Sequence, residues 1–189
     1  MRFMLLQLEF IILSKMDFSK GFNVQLATLF GIGKIPGGGT WASLIVLIIA
    51  LYEQNAETAS FLAFLSLIIG PNAYRKLIAL FDSEDPKEYV LDEVIGMGIA
   101  ISGVYIFTSI FDQLSFNLIE TLSATSELFI LTFIAFRFFD ISKIGPVGWV
   151  ENYRQEKAYI RVIGDDIMAA ILSIIVVIFL LSVNLYVMQ

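Results

Sequence analysis

Carboxylate side chains stand at three places where this chain passes between a polar and an apolar stretch. Asp92-Glu93 and Asp165-Asp166 each precede a long apolar run, and Asp140 follows one. A carboxylate at such a boundary loses part of its hydration, which is costly unless it holds a cation or keeps a proton. The chain has no His and no Cys, so any metal would be held by oxygen atoms, the ligands that Mg²⁺ prefers. The candidate metal ligands are Asp85, Asp92, Glu93, Asp165 and Asp166.

Further acids lie close to the first of these pairs. The proline after Asp85 predicts a helix start, and in a helix from that point Asp85, Glu88 and Asp92 recur on one face. Carboxylates on one face repel each other, which favours a bound cation. The alternative is that Asp85 and Glu88 only complement the helix dipole and add solubility. The same alternative applies to Asp165-Asp166, which are predicted to open the last apolar helix.

A glycine-rich segment, Phe30–Trp41, leads directly into an apolar run. Glycines let backbone N–H groups converge on an anion, and the positive end of a helix dipole adds to that effect. Lys34 contributes a charge, and Thr40 is placed as the N-cap of the following helix. The Gly-Lys-Ser/Thr ending of a P-loop is missing. The segment predicts phosphate binding by Gly33, Lys34, Gly39 and Thr40, with a plain glycine-rich membrane turn as the alternative.

Two cations flank Asp140 in the segment 136–146. Arg137 lies three residues before Asp140, on the same face of a helix, and Lys143 follows three residues after it. A simple Arg–Asp ion pair is one interpretation. Two cations around one carboxylate also suit a site that handles phosphate, so Arg137 and Lys143 are candidate phosphate-binding residues.

The elements that must position these groups are apolar helices. The chain has 189 residues, 58% of them hydrophobic and 16% charged, whereas a soluble domain is about 45–50% apolar and about 25% charged. Two apolar runs, 94–111 and 167–188, are long enough to cross a bilayer, which takes about 20 residues. Shorter runs occupy 41–52, 59–70 and 128–139. We expect an all-α integral membrane bundle of about 4–5 membrane helices. The net charge of −6 argues against a nucleic-acid partner.

The cations indicate how the bundle is oriented. All twelve Lys and Arg residues fall within 1–40, 71–93 and 137–166, and the loops 53–58 and 112–127 have none. By the positive-inside rule, the first set faces the cytoplasm, and the active-site loops with it. We expect a single helical membrane domain, 21–189, preceded by an interfacial N-terminal extension, 1–20. Met16 is an alternative start of translation.

These four stretches, in this order, resemble the phosphatidylglycerophosphatase A family over residues 22 to 188. The family shows Gly-x-Gly…Pro…Gly-Thr, Asp-Pro-x-x-x-x-x-Asp-Glu-x-x-Gly, Arg-x-x-Asp-x-x-Lys, and Asp-Asp followed by small residues. The counterparts are Gly31, Gly33, Pro36, Gly39 and Thr40; Asp85, Pro86, Asp92, Glu93 and Gly96; Arg137, Asp140 and Lys143; and Asp165, Asp166, Ala169 and Ala170. Two departures are a loop without the usual second proline and Ala170 in place of a glycine.

The resemblance implies a Mg²⁺-dependent phosphatase in the bacterial inner membrane. It would hydrolyse the terminal phosphate of phosphatidylglycerophosphate, a membrane lipid, to give phosphatidylglycerol. The nucleophile would be either an activated water or one Asp that forms an acyl-phosphate. The catalytic residues would be Asp92, Glu93, Asp140, Lys143 and Asp166.

Two rival functions use the same residues differently. A small helical membrane protein that binds or transports cations would need the acids but not the glycine loop with its lysine. A phosphotransferase of the CDP-alcohol type would need a denser Asp-Gly-x-x-Ala-Arg array, which this chain lacks. The sequence leaves the oligomeric state open.

Overall fold

A computed structural model describes residues 21–81, 83, 86–113, 125–152 and 158–188. The expected N-terminal extension, 1–20, and the candidate ligand Asp85 lie outside the described residues. Every regular element within the described ranges is helical, which confirms the all-α prediction. Residues 21–27 are helical and are followed by a 3-10 turn, Ile32–Lys34. The longer helices are α1 (Gly38–Glu53), α2 (Glu57–Phe81), α3 (Leu91–Gln113), α4 (Thr125–Ser142), α5 (Pro146–Asn152) and α6 (Ala158–Met188).

Three of the described helices are long and apolar enough to cross a bilayer. These segments are Glu57–Phe81, Leu91–Phe111 and Ala158–Val183. Large apolar side chains such as Phe64, Ile106 and Phe179 are exposed on the outside of the bundle, as expected for a surface that faces lipid. The structure is that of a helical membrane protein.

Helix α3 lies at the centre and packs against α1, α2, α4 and α6. Small residues make these contacts close. A Cβ atom on Gly98 would lie 2.6 Å from the carbonyl oxygen of Ala59 on α2. Because lipid tails are as apolar as the helix surfaces, such bundles are held by close packing rather than by the hydrophobic effect.

The helix boundaries correct three of the sequence predictions. Helix α3 begins at Leu91 and not at Pro86, so Glu88 precedes the helix and does not share a face with Asp92. Helix α1 begins at Gly38 with Gly37 as N-cap, which places Thr40 inside the first turn rather than at the cap.

Helix α6 extends further toward the N-terminus than its apolar run, because it begins at Ala158. Asp165 and Asp166 are therefore its eighth and ninth residues and do not open it. Helix α2 likewise continues past its apolar run 59–70, through Pro71, to Phe81. In both helices the apolar run is shorter than the helix itself. The prediction that Asp165 and Asp166 open the last helix was therefore wrong.

The topology collects the functional segments at one end of the bundle. The first turns of α1 and α3 meet the third turn of α6 there, together with the last turns of α2 and α4. At the opposite end, Gln54 after α1 donates a hydrogen bond to Ser126 in the first turn of α4, at 3.0 Å. Every Lys and Arg in the described part of the chain belongs to the segments at the first end: Lys34, Arg75, Lys76, Lys87, Arg137, Lys143 and Arg161.

Candidate active site

Three carboxylates converge where α3 meets α6. One oxygen from each of Asp92, Glu93 and Asp166 lies within 4.8 Å of the others. Gly96, one turn along α3, permits this approach. A Cβ atom on Gly96 would lie 3.0 Å from the Cβ of Asp166 and 2.7 Å from the ring of Phe136. A larger residue would push α6 away and separate the three acids.

Two of the three acids are buried and Glu93 is partly buried, and part of their hydrogen-bonding capacity is unused. Asp92 is 8% exposed and Asp166 is 3% exposed. Among the described residues, Glu93 Oε2 and Asp166 Oδ1 have no hydrogen-bond partner. Leaving a buried charged oxygen unpaired is costly, so these oxygens point to a bound cation. A set of carboxylate oxygens at this spacing fits Mg²⁺.

A chain of ion pairs lies beside the three acids. Arg137 contacts Asp140 at 2.6 Å, and Lys143 lies 3.6 Å from the other oxygen of Asp140. Lys143 also donates a short hydrogen bond to Asp165. Lys143 can reach both acids because it follows the end of α4 with a left-handed backbone, φ 50°. Asp165 thus faces Lys143 and is not part of the group formed by Asp92, Glu93 and Asp166.

The charges in this region do not balance. Five carboxylates, those of Asp92, Glu93, Asp140, Asp165 and Asp166, surround two cations, Arg137 and Lys143. If all five are ionised, three negative charges remain uncompensated among the described residues. A divalent cation held by the group of three acids would remove most of this excess.

The ammonium group of Lys143 is held in its charged form. Its partial burial by itself would lower the pKa, but the hydrogen bond that Lys143 donates to Asp165 and the charges of Asp165, Asp140 and Asp166 outweigh that effect. The net result is that the pKa of Lys143 lies above the ordinary value for lysine. Lys143 therefore stays protonated across the neutral range.

The predicted phosphate loop lines a cavity of about 440 Å³ next to the acids. Its walls include Gly33, Lys34, Gly39, Thr40, Lys87, Glu93 and Arg137. Glu93 is the contact between the two parts of the site. A Cβ atom on Gly39 would lie only 1.9 Å from Glu93 Oε1, so the Glu93 carboxylate lies directly against the backbone of the loop.

The loop is fixed from two sides. A Cβ atom on Gly33 would lie 2.1 Å from the carbonyl oxygen of Glu88, so the loop packs on the segment that precedes α3. On the other side, Arg137 donates a hydrogen bond to Thr40 Oγ1 at 3.0 Å and a longer one to Ser43 Oγ at 3.4 Å. The N-cap Gly37 supplies no capping side chain. The first N–H groups of α1 are thus available to an anion in the cavity.

Most of the sequence-derived candidates meet in this region. The cavity includes all of the predicted phosphate-binding residues except Lys143, which lies in the neighbouring ion-pair chain. Sequence reasoning missed Lys87, which lines the cavity, and Ser43, which contacts Arg137. Ser43 was recognisable in principle, because it lies three residues after Thr40 and so shares its helical face.

A model of the family described as phosphatidylglycerophosphatase A matches residues 25–181. None of the curated proteins matches this chain, and none of the solved structures does. The match spans all of the segments that form the site, from the glycine loop to α6. The chain therefore belongs to the phosphatidylglycerophosphatase A family and is a phosphatase that acts on a membrane lipid.

Proposed function

We propose that this protein hydrolyses the terminal phosphate monoester of phosphatidylglycerophosphate, with Mg²⁺ as cofactor, to give phosphatidylglycerol. The reaction takes place at the cytoplasmic face of the bacterial inner membrane. The observation that carries the proposal is the position of Glu93. Its carboxylate belongs to the group of three acids and also lines the cavity formed by the glycine loop. A cation site and an anion site therefore share one wall.

The residues that line the cavity carry groups that can bind a dianionic phosphate. Arg137 presents a planar guanidinium whose orientation is fixed by Asp140 and Thr40. Lys34 and Lys87 add two positive charges at the rim. The free N–H groups at the start of α1 complete a donor set that can stabilise charge on the phosphoryl oxygens.

The acids would hold the metal. Asp92, Glu93 and Asp166 supply oxygen ligands, and the bound Mg²⁺ would polarise the phosphoryl group and neutralise charge that develops on it. Asp140 keeps Arg137 and Lys143 in place, and Asp165 keeps Lys143 protonated. The attacking group is either water or an aspartate carboxylate. Acid quenching of the enzyme during turnover of ³²P-labelled substrate would separate these routes, since only the second leaves label on the protein.

The cytoplasmic orientation is supported by the grouping of the described cations at the active-site end. It can be tested with single cysteines, because the chain contains none. A membrane-impermeant maleimide should label Ser83→Cys in inverted membrane vesicles but not in intact spheroplasts. Glu57→Cys, at the opposite end of α2, should show the reverse. Labelling of Ser83→Cys from outside the cell would overturn the orientation.

The activity is tested by phosphate release from phosphatidylglycerophosphate in detergent micelles. We expect release by the purified protein with Mg²⁺, loss of at least about a hundredfold after EDTA, and recovery when Mg²⁺ is added back. Activity unchanged by EDTA would contradict the metal dependence. No release from any lipid phosphomonoester, together with Mg²⁺ flux into liposomes, would favour the transport alternative.

A further inference from the structure

A second cavity, of about 810 Å³, adjoins the phosphate cavity. It lies between the helical residues 21–27 and the last turns of α2. The two cavities share Lys34, and the same glycine-rich loop lines both of them. Nothing in the reaction described above uses this second cavity. Because Lys34 borders both cavities, the second cavity lies next to the proposed site of the terminal phosphate.

The walls of the second cavity carry cations and no acids among the described residues. Arg75 and Lys76, on α2, join Lys34 there. Within the described part of the chain none of the three forms an ion pair, whereas Arg137 and Lys143 are both paired. Arg75 donates a hydrogen bond from its Nε to the carbonyl oxygen of Pro71, at 3.3 Å. Among the described residues, its other guanidinium N–H groups are available to a ligand. The positive charge on the cavity wall therefore favours binding of an anion.

The same cavity has apolar walls. Phe30 is 69% exposed and Leu80 is 65% exposed, and both line it. Large apolar side chains beside unpaired cations are unfavourable for a free inorganic anion but suit the junction of a lipid headgroup and its acyl chains. This combination selects an amphipathic anion.

We propose that the second cavity binds the phosphodiester and adjoining lipid backbone of the substrate, with Arg75 and Lys76 as the residues that bind the diester phosphate. The inference rests on the proposed function. The substrate carries two phosphates, a terminal monoester and an inner diester, joined by glycerol. With the monoester in the first cavity, the glycerol passes Lys34 and the diester reaches Arg75 and Lys76. The two cavities together then distinguish this lipid from one with a single phosphate.

The test uses the double variant Arg75→Gln/Lys76→Gln, assayed on phosphatidylglycerophosphate in micelles. Because charge-assisted contacts to phosphate are lost, we expect KM to rise about tenfold with kcat within about twofold of the parent. Two inhibitors show which of the two cavities the substitutions affect. Phosphatidylglycerol carries only the diester, so its inhibition constant should also rise about tenfold. Inorganic phosphate occupies only the monoester cavity, so its inhibition constant should stay the same. Arg161→Gln, which removes a cation outside both cavities, should change none of these values.

Three outcomes would overturn the inference. Unchanged KM and phosphatidylglycerol inhibition would show that the cations do not contact the diester. An equal rise for inorganic phosphate would show a general charge effect on the first cavity. Equal inhibition by soluble glycerophosphoglycerol, which has the diester but no acyl chains, would exclude a lipid-specific site.

If the proposed phosphatase activity is wrong, the experiment gives a result that differs from those that would overturn the diester site. It would appear as no phosphate release by the parent protein. Binding of phosphatidylglycerol, measured by native mass spectrometry, needs no turnover and would still compare the parent with the double variant. Weaker binding to the variant would keep the site as one for an anionic phospholipid, and equal binding would remove it.

Discussion

The carboxylate of Glu93 lies against the backbone of Gly39, so that a methyl group on Gly39 would come within 1.9 Å of Glu93 Oε1. These residues come from different helices and are far apart in the chain. Gly39 belongs to the phosphate loop, and Glu93 belongs to the acidic group at the start of α3. The contact sets the distance between the predicted metal site and the predicted phosphate site. Glycine at 39 is required by this close approach and not by an unusual backbone conformation.

Gly39→Ala should therefore displace Glu93 and reduce kcat/KM by at least about a hundredfold, equivalent to about 2.7 kcal/mol of transition-state stabilisation. The measurement is steady-state phosphate release. The matched control is Gly103→Ala, whose added Cβ would overlap Ile174 Cδ1 at 2.4 Å, in the middle of the bundle. That atom ends a flexible side chain that can rotate, so the control should keep near-parental activity. Equal activity of both variants would refute the role of the contact.

The group of three acids predicts how metal affects stability. Replacing Asp92 or Asp166 by Asn removes a buried carboxylate that repels its neighbours. In EDTA these variants should melt at the same temperature as the parent or above it. Mg²⁺ should raise the Tm of the parent and not that of the variants, because only the parent binds the ion in its folded state.

The same variants should lose activity by about a thousandfold or more. Glu127→Gln, at the other end of α4, is the control and should keep both the activity and the Mg²⁺ response. A parental Tm that does not respond to Mg²⁺ would argue against a metal at this position.

The contacts of Arg137 predict that substitutions at Arg137 and Ser43 reduce the activity to different extents. Arg137→Lys keeps the charge but loses the fork that reaches both Asp140 and Thr40. We expect kcat/KM to fall about ten- to a hundredfold. Ser43→Ala removes the long 3.4 Å contact with Arg137 and the 2.9 Å hydrogen bond that Ser43 Oγ donates to the carbonyl oxygen of Gly39 one turn earlier in α1. Neither contact holds the guanidinium on Asp140 or Thr40, so this variant should cost less than about threefold. If Ser43→Ala proved as damaging as Arg137→Lys, the Ser43 hydroxyl would have a role that these contacts do not explain.

Lys143 predicts a pH dependence of stability. Because its pKa is raised in the folded protein, its contribution is fully present below the unfolded lysine pKa, about 10.4, and is lost as pH rises through the higher folded value. Lys143→Met should lower the Tm by a similar amount at pH 7 and pH 9, and the difference should shrink at more alkaline pH. Lys76→Met, which removes an exposed lysine without an ion pair in the described region, should show little effect at either pH. A difference between parent and Lys143→Met that grows with pH would contradict the assignment.

Residue type and local spacing were sufficient to predict the helical membrane class. They also selected most of the polar residues that the structure brings together at one end of the bundle. Asp92, Glu93 and Asp166 are recognisable because a charged side chain at the boundary of an apolar segment is costly, and such residues are therefore candidates for a functional site. The loop residues from Gly33 to Thr40 are recognisable because glycines beside a lysine expose backbone donors. Helix boundaries were predicted less well, because the apolar pattern reports where lipid begins and not where the backbone hydrogen bonds stop.

The sequence by itself determined the chemistry available to this protein: carboxylates, lysines, arginine and a glycine loop, with no histidine or cysteine, carried by apolar helices. Only the tertiary structure decided which acids act together. It assigned Asp166 to the group with Asp92 and Glu93, and Asp165 to Lys143, although the two aspartates are adjacent in the chain. Neighbouring residues on a helix point about 100° apart, so they face different partners. Which partners those are depends on how closely α3, α4 and α6 approach at Gly96, and that distance is a property of packing rather than of local sequence.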